Sequence, residues 1–201
     1  MTSSITASVE FCHIFCGEET EAECLAAVAP FRDRVRFSQV RNVTPQIAAL
    51  RQMAAQAEGE FLVPLDSDMI LAGNALDRIV SAVEKHLHNP SWHSILFPLY
   101  DTLTERPILA LKVLRTQALR QVTFRDVPTP DVTHFEELTA AGWTCITEYL
   151  NTSPIGDHVV RGHHCCYHKY RDVYFTYRHH LREWDAGVFL GGQTLRERAK
   201  K

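Results

Sequence analysis

The sequence predicts an α/β fold with a mixed, mostly parallel central sheet flanked by helices. Apolar, β-rich runs alternate with segments whose apolar residues recur near helical spacing, the pattern of strands joined by crossover helices. The run Phe61-Leu62-Val63-Pro64-Leu65 is apolar throughout, as expected of a strand covered on both faces of a parallel sheet. Two later strand candidates are joined by a short polar turn, which adds an antiparallel pair and makes the sheet mixed.

Residues 5–15 read as the first strand, followed by Gly17-Glu18-Glu19 and a helix carrying Cys24, Leu25, Val28 and Phe31. A second strand spans 35–40. Thr44 and Pro45 suit the N-cap and first turn of a helix with Ile47, Leu50 and Ala54 on one face, ended by Gly59. The third strand covers 61–66, and Asn74 is placed to cap a helix with the stripe Leu76, Ile79, Val80, Val83 and Leu87, closed by Asn89-Pro90. Strands over 94–99 and 108–114 flank the turn 102–106; Lys112 in the second could approach substrate from a central strand, but reads more simply as an edge-strand lysine and is left outside the site. Pro128 and Pro130 precede a short helix started by the capping-box pair Thr133 and Glu136 and stopped by Gly142, with 143–150 as the last strand. The expected division is a core of 1–155 and a segment 156–201, dense in His, Tyr, Phe and Arg, that packs on the core and closes over a site.

At 201 residues the chain is long enough for one well-buried domain and short for two. A hydrophobic fraction of 45%, a charged fraction of 22% and a formal net charge of -3 are those of a soluble globular protein and argue against a nucleic-acid partner. An anionic ligand must therefore be met by local groups. No apolar stretch approaches the roughly 20 residues that span a bilayer. Met1-Thr2-Ser3-Ser4 also lacks the basic start of a signal peptide, so the expected location is cytoplasmic, with no integral membrane segment. The six cysteines include no CxxC pair and read as reduced thiols.

The apolar third strand ends in Asp66-Ser67-Asp68. Unpaired carboxylates are too costly to bury for packing alone, and ligands of open α/β sheets gather at the carboxyl ends of strands. Two hard oxygen donors there suit Mn2+ or Mg2+, whose shells are commonly completed by phosphate oxygens and water. The plainer role is a turn in which either Asp caps the following backbone.

The stretch from Ala54 to Met69, a helix ending in Ala57-Glu58-Gly59-Glu60 and then an apolar strand leading to Asp66-Ser67-Asp68, resembles the region around the DxD motif in family-two glycosyltransferases of GT-A fold. The resemblance implies a GT-A-like nucleotide-diphospho-sugar transferase fold and metal-dependent transfer of a sugar from a nucleotide-diphosphate sugar donor to an acceptor hydroxyl. It implies that Asp68 ligates a metal bridging the donor diphosphate, with Asp66 near the donor ribose or in the metal shell. It also implies an acidic base at a helix start. Asp131 is the candidate ahead of Asp126, with Pro130 standing where the family has the first acid of a Glu-Asp pair; inversion follows if Asp131 is the base. An imidazole from the C-terminal segment is implied as a further metal ligand, with His163 the first candidate and His158 the second.

Donor contacts are expected from Phe15, Cys16 and Gly17 in the loop after the first strand, where glycine permits close backbone approach. Arg41 and Arg51 are candidates for the diphosphate, because a guanidinium matches phosphate oxygens in two-pronged geometry. The family's uracil-reading Asp is replaced here by Gln39-Val40-Arg41-Asn42, so the base is left open, as are the sugar and a glycan, lipid or protein acceptor. His163-His164-Cys165-Cys166-Tyr167-His168 holds zinc-ligand residue types, but adjacent residues do not readily converge on one tetrahedral ion. Two rivals stand beside this reading. A nucleotidyltransferase is disfavoured by an acidic loop with a single glycine, Phe15-Cys16-Gly17-Glu18-Glu19, and a catalytically silent binding or scaffold protein is kept open by the absent Glu-Asp pair.

Overall fold

The structure is a computed structural model that describes residues 8–15, 17–43, 46–102, 105–125, 130–148 and 153–159, with 130–132 described in backbone only. In chain order the elements are β1 (Val9–Phe15), α1 (Glu21–Val28), a 3-10 turn (Ala29–Phe31), β2 (Arg36–Arg41), α2 (Gln46–Gln56), β3 (Phe61–Asp66) and β4 (Met69–Leu71). They continue with α3 (Ala75–His86), β5 (Trp92–Asp101), β6 (Arg106–Arg115), α4 (Thr116–Leu119), α5 (Pro130–Ala140), β7 (Thr144–Thr147) and β8 (Gly156–His158).

The strands make one sheet in the order β2-β1-β3-β6-β5-β8-β4, with β7 added beside β5. β1 pairs in parallel with β2 and β3, and β5 with β7 and β8, whereas β6 is antiparallel to β3 and β5, and β4 to β8. Alternation along β1 sends Phe11 into one core and Cys12 and Ile14 into the other. The first core joins Phe61, Val63, Leu65 and Trp92 to Val28 of α1 and to Leu76, Ile79 and Val83 of α3. The second joins Leu62 and Leu114 to Ile47, Leu50 and Met53 of α2 and to Leu119 and Phe124. Each fully buried side chain of this size contributes about 1.5–3 kcal/mol relative to exposure.

Several expectations change in the structure. β4 and β8 were not expected, since three-residue strands are too short to show a period. The sheet therefore runs past residue 155. Lys112 is not on an edge: β6 lies between β3 and β5, and the ammonium sits 5.6 Å from the Phe135 ring centroid on α5. Leu87, expected in the α3 stripe, falls past the helix and is 40% exposed. Asn74 makes no side-chain cap at α3. The last sequence-derived helix begins earlier than the capping-box pair, at Pro130, and Thr133 instead accepts a hydrogen bond from the Arg125 amide. Gly142 ends α5 as expected, at φ +88°, whereas Gly59 has another reason: a Cβ there would meet Glu10 Cβ at 2.7 Å.

Candidate functional site

Register builds the site. β4 runs antiparallel to β8 with Met69 opposite His158, which places Asp68, the residue before β4, beside the end of β8. β5 runs parallel to β8 with Asp101 opposite His158. Three side chains from three elements therefore meet. His158 Nδ1 lies 2.7 Å from Asp101 Oδ1 and His158 Nε2 lies 3.1 Å from Asp68 Oδ2. Asp101 is 0% exposed, Asp68 2% and His158 5%. An ionised carboxylate can only accept, so Nδ1–H donates to Asp101, and Nε2 faces Asp68 as a second donor whose proton a bound cation would displace. Gly156 makes this possible: a Cβ there would lie 2.4 Å from the Ile70 carbonyl oxygen and 2.8 Å from Leu71 Cα, inside the β4–β8 contact.

The turn Asp66-Ser67-Asp68 is held residue by residue. Cys24 Sγ donates to the Asp66 carbonyl at 3.7 Å, Ser67 Oγ donates to the Ile14 carbonyl at 3.0 Å, and the Val159 amide donates to the Asp68 carbonyl at 2.7 Å. Burial, with Asp68 and Asp66 nearby, pushes the Cys24 thiol up to about 12, so it remains a neutral donor. Asp66 is partly exposed at the carboxyl end of β3, opposite Ile14 of β1.

The other sequence candidates fall as follows. Gly17 adopts φ +102°, a conformation that favours glycine, directly after the end of β1. Phe15 lies under the Arg41 guanidinium at 4.3 Å, and the Asn42 amide donates to its carbonyl at 2.8 Å, closing the ends of β1 and β2 together. Arg41 also pairs with Glu21 at 2.5 Å, so contact with a diphosphate would require it to exchange that carboxylate. Arg51 donates to the carbonyls of Thr123 at 3.2 Å and Phe124 at 3.0 Å, which accounts for it without a ligand and ties α2 to the segment before α5. Asp131 is the second residue of α5. Cys16, Asp126, His163 and the cysteine-histidine run that follows lie outside the described residues.

Two residues of this neighbourhood were not anticipated. Asp101 ends an apolar strand as Asp66 does, so the signal that drew attention to β3 was also present in β5. His13 is a polar residue inside the apolar run of β1, and it is 0% exposed.

Among the described residues no three His, Cys, Asp or Glu side chains form a group able to hold a metal ion. Asp68 and His158 offer two donors 3.1 Å apart. That is close to the spacing of neighbouring ligands on one octahedral ion with bonds of about 2.1 Å. A carboxylate on the far nitrogen is the usual companion of a metal-binding histidine. The donor set thus fits a divalent cation that takes its remaining ligands from phosphate and water.

In sequence the chain matches no protein-family model and no curated protein. In structure it resembles a mannosyltransferase from Pyrobaculum calidifontis, solved in complex with GDP-mannose and Mn2+, at 15% identity and a TM-score of 0.54 over 85% of this chain. It also resembles glucosyl-3-phosphoglycerate synthase from Mycobacterium tuberculosis, solved with Mn2+, uridine diphosphate and phosphoglyceric acid, at 12% identity and a TM-score of 0.54 over 91% of this chain. The chain spans 62% of the length of the mannosyltransferase and 80% of that of the synthase. Its fold is the GT-A-like fold of nucleotide-sugar transferases. Among the described residues no helix is long and apolar enough to cross a membrane.

Proposed function

We propose that the chain is a metal-dependent glycosyltransferase that takes a sugar from a nucleotide-diphosphate donor. The observation that carries this reading is the buried row Asp101, His158, Asp68 at the carboxyl end of the sheet. Asp68 and His158 would hold Mn2+ or Mg2+, with Asp66 on the open side of the turn toward the donor; His158 replaces His163 as the favoured imidazole because it is in contact with Asp68. The cation, when bound, stabilises charge building on the departing diphosphate. Asp101 holds the His158 ring, and a carboxylate at Asp131 accepts the proton of the attacking acceptor hydroxyl, which would give inversion. Gly17 and Phe15 would contact the donor, with Cys16 between them in sequence as a further candidate and Arg41 available to exchange Glu21 for a phosphate oxygen.

The test is a calorimetric titration of the protein with Mn2+ and a panel of nucleotide-diphosphate sugars. Mn2+-dependent donor binding that weakens about 10-fold or more in Asp68→Asn and in His158→Gln supports the reading. Absence of nucleotide-sugar binding at every metal concentration sinks it. Asp131→Asn should suppress transfer while leaving donor binding intact, and unchanged transfer rejects it as the base.

A further inference from the structure

Ser67, the residue between the two acids, is the end of a directional hydrogen-bond chain that starts on the sheet edge. Its one hydroxyl proton goes to the Ile14 carbonyl, so toward His13 Nε2, 2.8 Å away, the Oγ can only accept. His13 therefore carries its proton on Nε2, and its Nδ1 accepts from Gln39 Nε2 at 3.0 Å. Every donor in the run Gln39, His13, Ser67, Ile14 has one acceptor, and reversing any member leaves two donors or two acceptors facing each other. The His13 ring is further set by near-parallel packing on Phe15 and Phe37, at centroid distances of 6.3 and 6.5 Å. Burial pulls its pKa down to about 4, which keeps it neutral at ordinary pH.

We propose that His13 is a positioning residue for the metal-and-phosphate turn, acting through Ser67 and itself oriented by Gln39. This rests on the functional reading above. Among the described residues, the backbone carbonyls of Asp66 and Asp68 are held from α1 and from the residue after β8, while the Ser67 hydroxyl is held from β1 and through β1 from β2. His13 thus fixes the middle of the turn, and with it the directions of the flanking carboxylates, before any ligand arrives.

The experiment measures Mn2+ affinity by electron paramagnetic resonance and folding stability by urea denaturation on the same proteins. His13→Phe keeps the aromatic packing and removes both hydrogen bonds. It should bind Mn2+ about 10-fold more weakly with little loss of stability. His13→Gln, which can return an N–H to the Nε2 position, should recover most of that affinity. In a Ser67→Ala background the His13→Phe change should add nothing further, because its route to the site is gone. Wild-type affinity in His13→Phe, or full additivity with Ser67→Ala, overturns the positioning role while leaving the transferase reading intact. A wild-type protein that binds no Mn2+ overturns both.

Discussion

Asp101 closes on His158 at 2.7 Å from the strand next to it, and the pair is set by register, since the two residues are direct partners where β5 and β8 run side by side. A carboxylate in that position orients the ring and raises the basicity of the opposite nitrogen. Asp101→Asn keeps the shape and can present its oxygen to Nδ1–H, but without the charge. We expect about 10-fold weaker Mn2+ binding with the fold retained, read by electron paramagnetic resonance titration alongside circular dichroism. An unchanged Mn2+ affinity would mean that Asp101 serves the fold alone.

Gly156 should tolerate no side chain. An added Cβ meets backbone of β4 at 2.4 Å, and backbone cannot step aside as a flexible side chain can. Gly156→Ala should separate β8 from β4, lower stability by about 1–3 kcal/mol, and draw His158 away from Asp68. Denaturant midpoints together with amide exchange at Met69 and Leu71 check this; full protection there counts against it.

Glu10 is buried at 2% exposure and accepts the amides of Glu58 and Gly59, each at 2.7 Å, together with the Ser38 hydroxyl. Glu10→Gln can keep an oxygen on the two amides and turn its NH2 to the Ser38 hydroxyl oxygen, but it removes the charge that these bonds are made to. A loss of about 1.5–3 kcal/mol is expected in urea denaturation, since hydrogen bonds to charged groups are the stronger class. Mn2+ affinity should remain that of the wild type, because Glu10 contacts the turn before β3 and not the one after it.

Two buried histidines should make the protein acid-sensitive. His93 is 1% exposed, with neither ring nitrogen hydrogen-bonded among the described residues, and burial lowers its pKa from 6.5 to about 4. His13 is lowered to about 4 as well. Above pH 6.5 both are neutral in either state and their contribution to stability is complete. Between about 6.5 and 4 the unfolded chain takes up protons that the folded chain refuses, so stability falls, by on the order of 3 kcal/mol per histidine, and it levels off below 4. His93→Leu should make the decline shallower across that window, measured as urea midpoint against pH. Parallel profiles for variant and wild type would discount His93.

The strands and helices with long apolar periods were legible because a period is a local property: β1, β3, α3 and the β5–β6 hairpin follow from which residues must leave water. Asp66 and Asp68 were legible for the same reason, as acids closing an apolar run. β4, β8 and Asp101 were harder to read because three-residue strands have no period and the value of one acid depends on what lies across the sheet.

Sequence alone thus determined the alternation of elements, the two-sided burial of β3 and the acidic turn that follows it. Tertiary structure decided that His158 reaches Asp68, that Lys112 sits in an interior strand, that Arg51 donates to two carbonyls, and that His13 reaches Ser67. Each of these turns on strand order and register. A one-residue slip of β8 against β4 and β5 would turn His158 to the opposite face of the sheet, and nothing in the local composition of Gly156-Asp157-His158 forbids that slip. What forbids it is contact at long range: the close approach of Gly156 to Ile70 and Leu71, and the burial of Ile155 in the core.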